Sequence, residues 1–120
     1  MFELSVTGDF AASHMIPEHK GKCKNLHGHT WKVEVTLSGD RLDALGMVTD
    51  FAVVKKQLRD FLERLDHTHL NDLPAFKTAN PTTENIAKHI FDEFSGICTP
   101  IRLRKVRVWE SDSSSVTYYR

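Results

Sequence analysis

From His27 to Leu37 the chain keeps a strict alternation. His27, His29, Trp31, Val33, Val35 and Leu37 share one parity, and Thr30, Lys32, Glu34 and Thr36 take the other. Side chains of a strand leave alternately to its two faces, whereas positions i and i+2 of a helix diverge. The run is therefore expected to be a strand with one buried face, spanning about His29 to Ser38 and ending at Gly39-Asp40. Two imidazoles open that buried face, close enough together for one metal ion to take both.

Imidazole nitrogen is a favoured zinc ligand, and catalytic zinc sites commonly use three protein ligands and leave the fourth position to water or substrate. A third ligand is available. Phe2, Leu4, Val6, Phe10, Ala12 and His14 are all even-numbered, so an extended first strand turns His14 inward with them, unless a bulge near Gly8-Asp9 upsets the parity. Cys23 precedes His27 at short range. Three readings follow: histidines of a core or surface without metal, a closed structural site of Cys23 with three histidines, or an open catalytic site with the thiol outside the metal shell.

The 120 residues, 40% of them hydrophobic, suit one domain with a modest core, and no composition shift or repeat divides residues 1–120. Sixteen basic residues balance sixteen acidic ones, so net charge gives no support for a nucleic acid or an anionic membrane as partner. The Met1 end carries Glu3 and Asp9 and lacks a basic start with an apolar core, and no apolar run is long enough to span a bilayer. A soluble cytoplasmic protein is expected, with Cys23 and Cys98 as thiols, Cys98 a small packing residue.

In chain order, Phe2 to His14 makes the first strand, and Pro17 to Lys24 a loop whose Lys20, Lys22 and Lys24 form a local positive cluster. That cluster is either solvated surface or a holder for a phosphorylated substrate. Thr49 or Asp50 can cap a helix on which Phe51, Val54, Leu58, Phe61, Leu62 and Leu65 recur at helical spacing. It stops at Asp66-His67-Thr68-His69-Leu70-Asn71, where an Asp beside a His is either a cap or surface pair or an acid-base group. Asn80-Pro81-Thr82-Thr83-Glu84 is a helix start, followed by Ile86, Ala87, Ile90, Phe91 and Phe94 and an end near Gly96. Arg102 to Glu110 makes a third strand, Ser111 to Ser114 a turn and Ser115 to Tyr119 a fourth strand. Glu110 shares the parity of Val106 and Val108, and a carboxylate on an apolar face wants a cationic or multi-donor partner, an arginine or a ligand.

The whole chain resembles the 6-pyruvoyltetrahydropterin synthase and 6-carboxytetrahydropterin synthase family. The resemblance rests on motifs in order: Phe10-Ala11-Ala12-Ser13-His14, Cys23 with His27-Gly28-His29, Asp50-Phe51, Leu65-Asp66-His67 with Leu70-Asn71, Pro81-Thr82-Thr83-Glu84-Asn85, and Glu110. It implies an α+β tunnelling fold, β-β-α-α-β-β, with a four-stranded antiparallel sheet and two helices on one face. It implies one Zn²⁺ per subunit on His14, His27 and His29, Cys23 as catalytic base, and Asp66 with His67 completing the proton relay. Glu110, with Thr83 and Glu84, would bind the pterin.

The three residues between Cys23 and His27 resemble the bacterial carboxy-forming enzymes of the queuosine pathway more than the pyruvoyl-forming ones, whose spacer is usually longer. The implied reaction converts 7,8-dihydroneopterin triphosphate to 6-carboxy-5,6,7,8-tetrahydropterin, with release of acetaldehyde and triphosphate. A pyruvoyl-forming enzyme and a non-catalytic zinc module stay as alternatives. The resemblance also implies a homohexamer of two stacked trimers with active sites at subunit interfaces. His69 matches no fixed role in the family, and Thr49 stands where an apolar residue is common.

Overall fold

A computed structural model describes residues 1–120. Strand β1 (Phe2–His14) and strand β2 (His27–Gly39) form a long antiparallel hairpin, followed by helix α1 (Phe51–Leu62), a two-residue strand β3 (Thr68–His69), helix α2 (Thr83–Ile97), and strands β4 (Arg102–Ser111) and β5 (Ser114–Tyr119). The sheet order is β3-β1-β2-β4-β5, antiparallel except that β3 runs parallel to β1.

The expected parity holds along the hairpin except at its far end, where Phe2 is exposed and Thr36 and Ser38 are buried beside a register shift with β4. Val6, Phe10 and Ala12 of β1 and Trp31, Val33, Val35 and Leu37 of β2 are buried, and they meet Val54, Leu58, Phe61 and Leu62 of α1 and Ile86, Ala87, Ile90, Phe91 and Phe94 of α2 in one core, with His14 buried at the end of β1. Both helices therefore lie on the same face. Trp31, fully buried, donates its indole N–H to the Ala12 carbonyl at 3.2 Å, so the largest core side chain leaves no unpaired polar atom. Asp50 caps α1 by accepting from the Ala52 N–H at 2.8 Å, and Thr82 caps α2 by accepting from the Asn85 N–H at 3.1 Å.

Six details differ from the sequence reading. The sheet has five strands rather than four, because Thr68 and His69 pair with Ala12 and Ser13 at the edge of β1. No bulge occurs at Gly8: the register runs unbroken from Phe2 opposite Gly39 to His14 opposite His27, and β2 thus begins at His27. Gly8 faces inward, where an added Cβ would stand 3.1 Å from Leu62 Cδ1, so its missing side chain lets α1 approach the sheet. The register shifts lie instead near Thr36/Leu37 and Trp109/Ser111. α2 continues through Gly96 to Ile97, the turn before β5 narrows to Asp112-Ser113, and Phe51 is 54% exposed beside the likewise exposed Phe2.

The other face of the sheet is largely polar, with Lys32 and Arg107 stacked over Trp109 at 4.7 and 4.4 Å from the ring centroid. Most of the outer edge of β1 and the free edge of β5 carry no partner strand. The radius of gyration is 15.3 Å, against about 13.6 Å for an average compact chain of this length. The excess comes from a long sheet that helices cover on one side only.

Candidate metal centre and active site

The three predicted histidines converge at the end of the hairpin. His14 closes β1 directly opposite His27, and His29 follows two residues along β2 on the same face. Ring centroids lie 4.4 Å (His14–His27), 5.2 Å (His14–His29) and 4.9 Å (His27–His29) apart, and one nitrogen of each lies within 4.8 Å of the others. Trp31 packs edge-on beneath His14 and His29, giving the cluster an apolar floor.

The outer nitrogens are committed to backbone carbonyls. His14 Nδ1 donates to Pro81 O at 2.8 Å and His27 Nδ1 to Asn25 O at 2.7 Å. A neutral imidazole that donates from Nδ1 keeps a free lone pair on Nε2, and this second hydrogen bond is what orients a metal-ligating histidine. His14 Nε2 and His29 Nε2 are buried with no hydrogen-bond partner. An unpaired buried nitrogen is costly, and a metal ion would satisfy it. Burial is also the largest influence that pushes the His14 and His29 imidazoles below their ordinary pKa, which favours the neutral, ligating form. The three residues fit a metal ion.

Glu110 borders the triad. Its Oε2 accepts from the Thr83 hydroxyl at 3.2 Å, and its Oε1 lies 3.7 Å from His29 Nε2. No guanidinium answers it: Arg104 faces Glu3 at 3.7 Å, and Arg107 donates to the Ser115 hydroxyl at 3.0 Å. Residues 81–83 thus support two parts of the site, since the Pro81 carbonyl holds His14 and Thr83 holds Glu110. Glu84 is exposed and bonds to neither.

Cys23 sits half-buried in the short 3₁₀ turn Lys22–Lys24, and its carbonyl accepts from the Ile16 N–H at 2.8 Å, tying that loop together. Its thiol is not one of the ligand atoms within 4.8 Å of one another. Lys20, Lys22 and Lys24 are exposed.

Asp66 and His67 lie at the β1 edge, with no hydrogen bond or ion pair to Cys23 or the triad. Asp66 Oδ1 accepts the Ala11 N–H at 2.8 Å and Oδ2 accepts from His67 Nδ1 at 2.8 Å, while the His67 N–H donates to Ala11 O at 2.6 Å. The Ala11 N–H, with His67 second, holds the Asp66 carboxyl below its usual range. His67 has a left-handed backbone, φ 56°, and an 83% exposed ring.

Two features carried no sequence signal. The carbonyls of Pro81 and Asn25 act through backbone atoms, which any residue supplies. Ser13 Oγ lies 3.0 Å from His69 Nδ1, a contact that only the β1–β3 pairing creates.

Comparison with known proteins matches residues 3–120 to the family described as 6-pyruvoyl tetrahydropterin synthase. A protein of Synechocystis named 6-carboxy-5,6,7,8-tetrahydropterin synthase is 38% identical over 115 residues, covering 92% of this chain and 87% of that one. The human 6-pyruvoyl tetrahydrobiopterin synthase is 40% identical over 102 residues, covering 82% and 70%. The structure of Caenorhabditis elegans 6-pyruvoyl tetrahydropterin synthase superposes with a TM-score of 0.89 at 31% identity, over 99% of this chain and 95% of that one. With residues 3–120 matched by the family model and the fold matched over nearly the whole chain by such a relative, the chain belongs to the 6-pyruvoyl tetrahydropterin synthase family and has its tunnelling fold.

Proposed function

We propose that this protein is a cytoplasmic 6-carboxy-5,6,7,8-tetrahydropterin synthase of the queuosine pathway, a zinc-dependent lyase acting on 7,8-dihydroneopterin triphosphate. The observation that carries the reading is the triad of imidazoles, with two buried, unpartnered Nε2 atoms, beside a carboxylate that no cation neutralises. The carboxy-forming sub-assignment draws on the three-residue spacer between Cys23 and His27 and on the Synechocystis relative's name.

His14, His27 and His29 would hold the zinc. Bound there, zinc supplies Lewis acidity toward hydroxyl and carbonyl oxygens of the substrate side chain. Glu110, steadied by Thr83, receives the amino group and ring N–H of the pterin. Cys23 takes protons from the side-chain carbons as general base. His67 moves the proton onward, its ring set by Asp66, whose other oxygen is fixed on the Ala11 N–H. Oxidation of the side chain balances reduction of the ring, so no redox cofactor is needed.

In this reading the Asp66–His67 pair serves the zinc site of a neighbouring subunit in a homohexamer of two stacked trimers. The open edges of β1 and β5 and the uncovered polar face favour edge-to-edge closure into a barrel. Incubation with 7,8-dihydroneopterin triphosphate tests the proposal: acetaldehyde and a pterin of the 6-carboxy mass support it. A pterin that keeps all three side-chain carbons, without acetaldehyde, overturns it in favour of the pyruvoyl-forming reaction carried by the human relative's name.

A further inference from the structure

A second imidazole stands beside His67 with no task in this mechanism. His69 pairs with Ser13 across the β1–β3 ladder, and the Ser13 hydroxyl lies 3.0 Å from its Nδ1. His67 and His69 line one open cleft of about 610 Å³. Each has its Nδ1 occupied, His67 by Asp66 and His69 by Ser13, which leaves Nε2 as the free edge of both rings.

The floor of the cleft is low because its residues are small. Ala11 faces Thr30 and Ser13 faces Gly28 across the β1–β2 ladder, and a Cβ at Gly28 would come no closer than 3.9 Å to the Ala12 carbonyl. Hydroxyls and imidazoles line the space, and no carboxylate does. Asp66, the nearest acid along the chain, already has both oxygens engaged. Lys20, Lys22 and Lys24 are not part of this lining. A concavity that offers the Thr30 hydroxyl and the Nε2 edges of His67 and His69, and no negative charge, suits an anion whose oxygens accept hydrogen bonds, as a phosphoryl group does.

We propose that this cleft is the subsite for the phosphate chain of the substrate, with His69 donating from Nε2 to a phosphoryl oxygen. This rests on the reading above that the substrate carries a triphosphate. Ser13 is the positioning residue: when its O–H donates to Nδ1, the ring proton sits on Nε2, the donor that a phosphoryl oxygen accepts. The spacing agrees, since the extended Thr68 between them sets the Cα atoms of His67 and His69 about 6–7 Å apart. That separation lets His67 meet the reacting carbons while His69 meets the phosphates attached beyond them.

The test titrates the zinc-loaded protein, in its native assembly, with inorganic tripolyphosphate and separately with phosphate-free 7,8-dihydroneopterin. His69→Ala is expected to weaken tripolyphosphate about tenfold or more, the loss of one charge-assisted hydrogen bond, and to change dihydroneopterin affinity by less than about twofold. His69→Gln, which restores a donor and guards against an alanine variant that misfolds, should recover part of the loss. Ser13→Ala should lose less than His69→Ala, in the same direction. In turnover, KM for the triphosphate substrate should rise with much less change in kcat. Unchanged tripolyphosphate affinity in both His69 variants overturns the subsite, and so does an equal loss for both ligands. Tripolyphosphate binding that depends on His69, in a protein that leaves dihydroneopterin triphosphate unconverted, keeps the anion site and overturns the reaction instead.

Discussion

Glu110→Gln isolates what one oxygen of the carboxylate does. The substitution keeps the shape of the side chain and leaves the amide oxygen able to accept from the Thr83 hydroxyl, now at 3.2 Å from Oε2. The other position changes from an acceptor to an NH₂ donor, which then confronts a pterin that presents two donors side by side. One charge-assisted hydrogen bond, worth about 1.5–3 kcal/mol, is lost. The Glu110 side chain is 31% exposed, so solvent replaces part of that and the lower end applies. The expected penalty of ~1.5–2 kcal/mol corresponds to roughly ten- to thirtyfold weaker pterin binding. Binding of phosphate-free 7,8-dihydroneopterin by calorimetry, with zinc content measured on the same samples, gives the answer. Unchanged affinity in assembled, zinc-loaded protein refutes the anchor role. Loss of zinc refutes it differently, because Oε1 lies 3.7 Å from His29 Nε2 and would then be acting on the metal site.

Replacing His14 by Ala should strip bound zinc and activity together, since two ligands make an incomplete site; full zinc occupancy in that variant removes His14 from the set. Cys23→Ala should lose turnover about a hundredfold or more, the usual worth of a general base, while keeping zinc. Mixed with subunit exchange, inactive Cys23→Ala and His67→Ala proteins should regain some activity, and a fully active monomer sinks the shared-site reading. His67→Asn should abolish turnover with stability unchanged or raised by up to about 1 kcal/mol, because asparagine tolerates the left-handed backbone; a clear drop in the unfolding midpoint makes the residue structural. Burial pushes the His89 imidazole below its ordinary value of 6.5, with Glu93 and Asp92 opposing. The folded state therefore favours the neutral ring, so its contribution is complete above pH 6.5 and lost as pH falls through the lowered value. His89→Gln should flatten the fall in urea midpoint between about pH 7.5 and 5.5, and an unaltered slope contradicts this.

Parity and capping made most of the fold legible. From Val6 to His14 the buried side chains of β1 take the even positions, and from Trp31 to Val35 those of β2 take the odd ones, because the antiparallel register continues unbroken through Gly8; only beyond, at Thr36 and Ser38 beside the register shift with β4, does the other parity become buried too. The same alternation brings His14, His27 and His29 together: a histidine at the end of an apolar run inherits the direction of that run. Asp50 and Thr82 cap as their residue types suggest. Phe51 misled the helical stripe because it lies in the first turn of α1, beside the exposed start of β1, where no layer covers it.

The rest depends on long-range partners that residue types do not announce. β3 has two residues and no propensity that could declare it. Side chains fasten it to β1: Asp66 takes the Ala11 N–H, and Asn71 accepts the Met15 N–H at 3.0 Å and donates to the Met15 carbonyl at 2.9 Å, extending the ladder past the last paired residue. Between them the chain must pass through a left-handed residue, a conformation that disfavours any side chain with a Cβ by about 1–2 kcal/mol. Glycine or asparagine would stand there at less cost. A histidine stands there, 83% exposed, its Nδ1 tied to an acid. Two backbone-edge hydrogen bonds at Ala11, one through Asp66 and one through the His67 N–H, help offset the strain, but they would form equally well with a cheaper residue at position 67. Neither packing nor local backbone preference selects an imidazole at this position. What remains as the reason for it is the free Nε2, and a residue that breaks the local rule while its side chain bonds only the adjacent Asp66 supports the proposed role in chemistry at a neighbouring subunit.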